Sequence, residues 1–128
     1  ARPTDLELQV LSVLWDRGDS TVREVMRELP DGKKRAYTTV LTILQLMEKK
    51  GLVGHTCEGL TYVYHPQVNR DECVAPVIQT LLKNVFGGDP SAIVQSLLDC
   101  GDVDADQVKA IRRVINAAAR KAREEDRP

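Results

Sequence analysis

The chain has 128 residues, 42% of them hydrophobic and 29% charged, with a net charge of −1, a composition that describes one ordinary globular domain or two small ones sharing a core. Only 4% is aromatic, so aliphatic side chains must build the core, which suits helices better than a β-sandwich. No apolar run approaches the roughly 20 residues that cross a bilayer, no signal-peptide pattern opens the chain, and Cys57, Cys73 and Cys100 form neither a disulfide framework nor a CxxC knuckle; the expectation is a cytoplasmic protein without membrane insertion.

Thr4-Asp5-Leu6-Glu7 reads as a capping box, in which the Thr hydroxyl accepts from a free amide and the Glu reaches back. The helix it opens carries Leu6, Leu8, Val10, Leu11, Val13, Leu14 and Trp15, wider than one stripe, so it is expected to lie between two neighbours. Arg17-Gly18-Asp19 ends it. Asp19-Ser20-Thr21 offers a cap for a second, short helix with Val22, Val25, Met26 and Leu29 at i, i+3, i+4, i+7. Pro30-Asp31-Gly32 is a turn.

The third helix is AYTTVLTILQLMEKK, Ala36 to Lys50, stopped by Gly51 as a natural C′ residue after two lysines. On a helical wheel Val40, Ile43, Leu44 and Met47 share one face with Tyr37 at its edge, and Thr38, Thr42, Gln45 and Lys49 share the opposite one. Leu41 and Leu46 lie at the margins. Two short β-like runs then flank Glu58-Gly59, a hairpin turn, with Tyr62 and Tyr64 on one face and Pro66 closing the run. Three helices followed by a hairpin is the plan of a winged helix-turn-helix domain.

From Arg70 the pattern changes. Val74, Val77, Ile78, Leu81, Leu82, Val85 and Phe86 form an unbroken helical stripe, which Gly87-Gly88-Asp89-Pro90 breaks. A helix with Ile93, Val94, Leu97 and Leu98 ends near Gly101, and Asp104 caps a last one with Val108, Ile111, Val114, Ile115 and Ala118. Three amphipathic helices of this size make too small a core to stand alone comfortably, so pairing with a second chain is expected. The expected fold is mainly α: a winged-helix domain over 1–69 and a helical dimerisation domain over 70–128. Val74, Val77, Ile78, Leu81, Leu82, Val85, Phe86, Leu97, Ile111 and Ile115 are the candidate dimer residues.

Charge is distributed unevenly. Between Lys33 and Lys50 five basic residues (Lys33, Lys34, Arg35, Lys49, Lys50) face one acid, Glu48, a local balance of 5 − 1 = +4. Short hydroxyl side chains can meet phosphates, base edges or the thymine methyl group, and flanking cations can neutralise phosphates. A second run, Lys109 to Arg123, holds six basic residues and no acid. No Gly-rich phosphate loop and no Ser/His/Asp grouping appears, so an enzyme is not expected. His55 and Cys57 alternate onto one strand face, and His65, Cys73 and Cys100 could join them around a metal; the bland reading of these thiols is buried or incidental, and neither metal nor cofactor is expected.

From Thr4 to Pro66 the chain resembles the penicillinase repressor family (the BlaI/MecI type, with the copper-responsive CopY repressors as relatives). The blocks that carry the resemblance are TDLELQVLSVLW, TVREVMREL, AYTTVLTILQLMEKKGLV and the EG turn before YVYHP, in the family's order and spacing. Beyond Pro66 the likeness is looser, in helix count and in the VFGG break. The resemblance implies a homodimeric winged-helix repressor on a palindromic operator, with the third helix in the major groove of double-stranded DNA and interleaved C-terminal helices. It puts Tyr37, Thr38, Thr39 and Thr42 at the groove and the hairpin around Glu58-Gly59 as the wing. With Gln45, Lys33, Lys34, Arg35, Lys49, Lys50 and the wing's His55, these are the candidate DNA-binding residues. Two departures stand out: Leu46 and Leu60 occupy positions where the family commonly has basic residues.

The resemblance also implies inactivation by a membrane receptor-protease that cuts in the first dimerisation helix at an Asn-Phe bond. The corresponding bond falls near Thr80-Leu81, and no Asn-Phe occurs in this chain. Two other readings stay open on the sequence: a winged-helix module that binds protein rather than DNA, and a metal- or thiol-responsive regulator.

Overall fold

The computed structural model describes residues 3–126. Its elements run α1 (Asp5–Arg17), β1 (Ser20–Thr21), α2 (Val22–Glu28), α3 (Tyr37–Lys49), β2 (Val53–Glu58), β3 (Thr61–Pro66), α4 (Arg70–Asn84), α5 (Pro90–Cys100) and α6 (Ala105–Glu125). The chain divides by compactness into two units, the first ending at Thr80 and the second beginning at Leu81. Cys73, in the first turn of α4, is buried with the first unit's core, and Val68 packs against that core.

Local chemistry starts and stops the helices of the first unit. The capping box at α1 forms in both directions: the Glu7 amide donates to the Thr4 hydroxyl at 3.2 Å, and the Thr4 amide donates to the Glu7 carboxylate at 2.9 Å. A second box, Thr21 with Glu24, starts α2. Its Glu24 carboxyl is lowered to about 2 by the Thr21 amide and by the ion pair with Arg17, which ties α2 to the end of α1. At Gly51, φ is +79°, the left-handed turn that lets α3 stop and β2 begin.

The sequence foresaw a two-stranded hairpin, but a third strand joins it. Ser20 and Thr21, expected only as a helix cap, pair antiparallel with Tyr64 and Val63, making a sheet of order β1-β3-β2. Two residues carry too little alternation to announce a strand. The hairpin turn also sits one residue further on than expected. Glu58 pairs with Thr61, leaving Gly59 and Leu60 as the loop, and Gly59 with φ +66° takes the first central position that a type II′ turn reserves for glycine.

The core of the first unit is aliphatic. Val10, Leu11 and Leu14 of α1, Val25 of α2, Val40, Leu44 and Met47 of α3, and Val53 and Tyr64 of the sheet are all 1% exposed or less. Each such side chain contributes about 1.5–3 kcal/mol by leaving water. Trp15 donates its indole N–H to the Val68 carbonyl at 2.9 Å, anchoring the segment that leads out of the sheet.

Two polar residues are buried beside this core: Ser20, whose hydroxyl donates to the Gly18 carbonyl at 2.8 Å, and Glu7. Glu7 is 5% exposed, and the Lys50 ammonium reaches both its oxygens, at 3.0 and 2.9 Å. Burial pushes this carboxyl up, but the Thr4 amide, the Lys50 ammonium and the Thr4 hydroxyl together hold it below its ordinary value. The pair links the first turn of α1 to the end of α3.

In the second unit, α5 is capped by Asp89 and ends at Gly101, and α6 opens on a capping box of Asp104 with Gln107. Neither helix buries a residue. The stripe on α4 is interrupted at both levels: Pro76 stands inside the helix, and the helix ends at Asn84. Val85 and Phe86, expected on its last turn, lie in the terminating turn, where both amides bond to the Leu81 carbonyl and Gly87 and Gly88 take positive φ.

A pH-dependent contribution to stability follows from Glu7. Its folded carboxyl titrates below the ordinary 4.5, so the stabilisation is complete above that value and is lost as pH falls through the folded pKa. Glu7→Gln is expected to cost roughly 1–2 kcal/mol at pH 7, Lys50 being part-exposed to solvent, with the difference from the parent narrowing below pH 4.5. Urea unfolding from pH 7 to pH 3 checks this; a difference that does not change with pH contradicts it.

Candidate nucleic-acid interface

The third helix is oriented by its inner face. Val40, Leu44 and Met47 are fully buried against α2 and β2, with Ile43 half-buried beside them. The other side is then forced outward. Thr38, Thr39, Thr42, Gln45 and Lys49 are exposed, with Tyr37 at the edge, as the helical wheel predicts. The first turn of α3 carries no acidic residue, and its N-cap Ala36 offers no side chain to the free amides there. Their partial positive charge therefore faces solvent.

The Thr42 hydroxyl donates to the Thr38 carbonyl at 2.8 Å. The Tyr37 ring lies under the Arg23 guanidinium, 5.1 Å from the ring centre. Arg23, in the first turn of α2, was not among the sequence candidates; the exposed arginines of this short helix, Arg23 and Arg27, give no pattern that singles it out, and only the fold brings it to α3. Thr21, Arg23, Tyr37, Leu41, Leu60 and Tyr62 line a shallow cleft between α2, α3 and the wing.

The cations separate into two groups. Lys50 was expected to face outward with Lys49, but its ammonium is held by Glu7. Arg35 is likewise engaged: its two terminal nitrogens bond both oxygens of Asp31 at 3.0 and 2.8 Å. The Arg35 guanidinium, with the Lys33 amide adding a bond at 3.0 Å, holds the Asp31 carboxyl well below the usual carboxylate range. His55 makes a 2.5 Å bond from Nδ1 to the Glu48 carboxylate and packs against Tyr62 and Tyr64, at 4.8 and 5.5 Å between ring centres. Lys33, Lys34 and Lys49 form no ion pair with any described residue. These three are the freely exposed cations of the candidate set.

The wing is lightly built. Leu60 at its tip is fully exposed and no cation accompanies it. The His55–Glu48 bond fastens the wing's base to the last turn of α3, so the two elements present one surface. The thiols are dispersed: Cys57 and Cys100 are exposed, and Cys73 is buried. Burial, with the Glu72 charge adding to it, pushes the Cys73 thiol up, away from a reactive thiolate. Among the described residues no three His, Cys, Asp or Glu side chains are grouped to hold a metal ion, and no helix is long and apolar enough to cross a membrane.

Comparison with known proteins gives a consistent result. Residues 3–117 match the family model described as penicillinase repressor. The chain is 36% identical over 114 residues to the transcriptional regulator BlaI of Mycobacterium tuberculosis, covering 87% of this chain and 80% of that protein. It is 23% identical over 112 residues to the penicillinase repressor of Bacillus licheniformis, covering 88% of each. Among solved structures, the monomeric form of Bacillus licheniformis BlaI in complex with the blaP half-operator superposes with a TM-score of 0.48 and 30% identity, over 56% of this chain and 88% of that one.

The Asp31–Arg35 clamp closes the loop that carries Lys33 and Lys34 just before α3. Asp31→Asn is expected to release it, giving several-fold faster tryptic cleavage after Lys33, Lys34 and Arg35 while far-ultraviolet circular dichroism stays unchanged. Cleavage at the parent rate counts against the clamp.

Proposed function

The chain belongs to the penicillinase repressor family, and from that premise we propose that it is a non-enzymatic, cytoplasmic transcriptional repressor that binds double-stranded operator DNA as a homodimer. The observation that carries the reading is the outward face of α3. A helix pinned by a fully buried inner face presents short hydroxyls, an amide and a lysine to solvent, beside a cleft closed by Arg23 and the wing. Such a face fits a major groove, where short side chains let the backbone approach and an unpaired N-terminus favours phosphate.

Residues 1–69 are assigned to DNA binding and 70–128 to dimerisation. The contacts fall into two kinds. Lys33, Lys34 and Lys49, whose ammonium groups form no ion pair with any described residue, neutralise phosphate. Tyr37, Thr38, Thr39, Thr42 and Gln45 face base edges, with Arg23 added at the rim. Lys50 acts through the fold rather than through phosphate, and Arg35 through the shape of its loop.

Support for a dimer comes from exposure. Ile78, Leu81, Val85, Leu97, Val114 and Ile115 are all 42% exposed or more in the single chain, apolar area that a partner would cover. A second copy of the same helices also sets the distance between two half-sites, matching a palindrome. Release by an inducing signal, such as a membrane receptor-protease cutting in α4 near Thr80–Leu81, completes the proposal; family membership alone supports that step.

Two measurements test it. With DNA from upstream of its own gene, binding is expected to weaken steeply as salt rises. Lys49→Ala should weaken all duplexes about equally and reduce the salt slope by about one. Lys50→Ala should leave the slope unchanged while lowering the melting temperature. Absence of duplex affinity at low salt refutes DNA binding and leaves the protein-interaction module. For assembly, sedimentation equilibrium is expected to give twice the 14.3 kDa of one chain, and Ile115→Glu should return it to the monomer; a parent that is already monomeric refutes the dimer.

A further inference from the structure

Two features of α3 have no place in a helix that binds only by hydrogen bonds and charge. The Thr42 hydroxyl proton is committed to the Thr38 carbonyl at 2.8 Å, so Thr42 cannot donate to a base without breaking that bond. What it presents is a methyl group and the lone pairs of its oxygen. One turn further, at i+4, Leu46 is 49% exposed and points from the same side of the helix. An exposed leucine next to a methyl forms an apolar strip inside an otherwise polar face. The hydroxyls of Thr38 and Thr39, by contrast, are bonded to no described residue and keep their protons available.

We propose that Thr42 and Leu46 read thymine, by packing the Thr42 γ-methyl and the Leu46 side chain against C5-methyl groups in the major groove. This rests on the DNA-binding reading above and adds to it a base preference. Thymine is the base whose major-groove edge carries a methyl, whereas guanine shows only the acceptors N7 and O6 there. Guanine opposite Thr42 would face an oxygen with no proton to give; thymine meets a surface of its own kind. Four residues of helix advance about 6 Å, close to two base steps of about 3.4 Å each, so the two side chains can address neighbouring thymines.

The test uses the intact protein and DNA from upstream of its gene, amplified once with thymidine triphosphate and once with deoxyuridine triphosphate. Uracil differs from thymine only by lacking the C5 methyl. Each buried methyl contributes about a factor of four, so the uracil duplex, which lacks two such methyls per half-site, is expected to bind about 15-fold more weakly per half-site, with the salt slope unchanged; the factors below are likewise per half-site. Thr42→Val keeps the methyl and discards the hydroxyl; it should bind the thymine duplex at least as tightly as the parent. Thr42→Ser does the reverse and should lose affinity about fourfold, with a narrower preference for thymine over uracil. The double variant Thr42→Ser, Leu46→Ser should bind both duplexes alike. Equal affinity of the parent for the two duplexes overturns the proposal. So does a Thr42→Val variant weaker than Thr42→Ser, or a double variant that still prefers thymine. Absence of any duplex binding at low salt refutes instead the DNA-binding reading, so the two failures are distinct.

Discussion

The burial of Val40, Leu44 and Met47 is the constraint from which the rest of the first unit follows. These three side chains are fully excluded from water among Leu11, Leu14, Val25, Val53 and Tyr64. Turning α3 about its axis by half a turn would expose them and bury Thr38, Thr42 and Gln45 in their place. Both changes are costly. The outward face is therefore set by what the inward face requires, and the threonines, mediocre helix formers, are tolerated because packing rather than propensity holds the helix.

The same core decides which charges are available. Glu7 is drawn into the boundary between α1 and the end of α3, and it takes Lys50 with it. Asp31 closes its loop on Arg35, and Glu48 holds His55 at the base of the wing. Glu7 and Asp31 thereby engage Lys50 and Arg35, two of the five cations in the sequence count of +4. What is left is a sparse set, Lys33, Lys34 and Lys49, flanking a face that is polar but uncharged. The exposed face of α3 is thus less basic than the sequence count implies, in keeping with a chain whose net charge is −1.

Much of this was legible in one dimension because the signals were local. The capping box at Thr4, the cap at Asp104, the stop at Gly51 and the two faces of α3 depend on residues within about four positions of each other, the range over which helical periodicity and capping act. The hairpin was legible for a similar reason, although a type II′ turn moved it by one residue. The two-residue strand β1 was not. Its pairing with β3 joins Ser20 to Tyr64, and nothing in Ser-Thr distinguishes a strand from a helix cap. The end of α4 was overshot because apolar spacing continues through Val85 and Phe86 while the glycines after them turn the backbone away.

By itself, then, the sequence determined the order of the helices and the hairpin, the helical faces and the family to which the chain belongs, since each is written in spacing and in contiguous blocks. Only the tertiary structure decided the partners of Lys50, Arg35 and His55, the approach of Arg23 to Tyr37, and the commitment of the Thr42 hydroxyl. The reason is physical. A hydrogen bond or ion pair is settled within about 3 Å in space, and residues separated by 43 positions, as Glu7 and Lys50 are, acquire that proximity only when the core between them has closed.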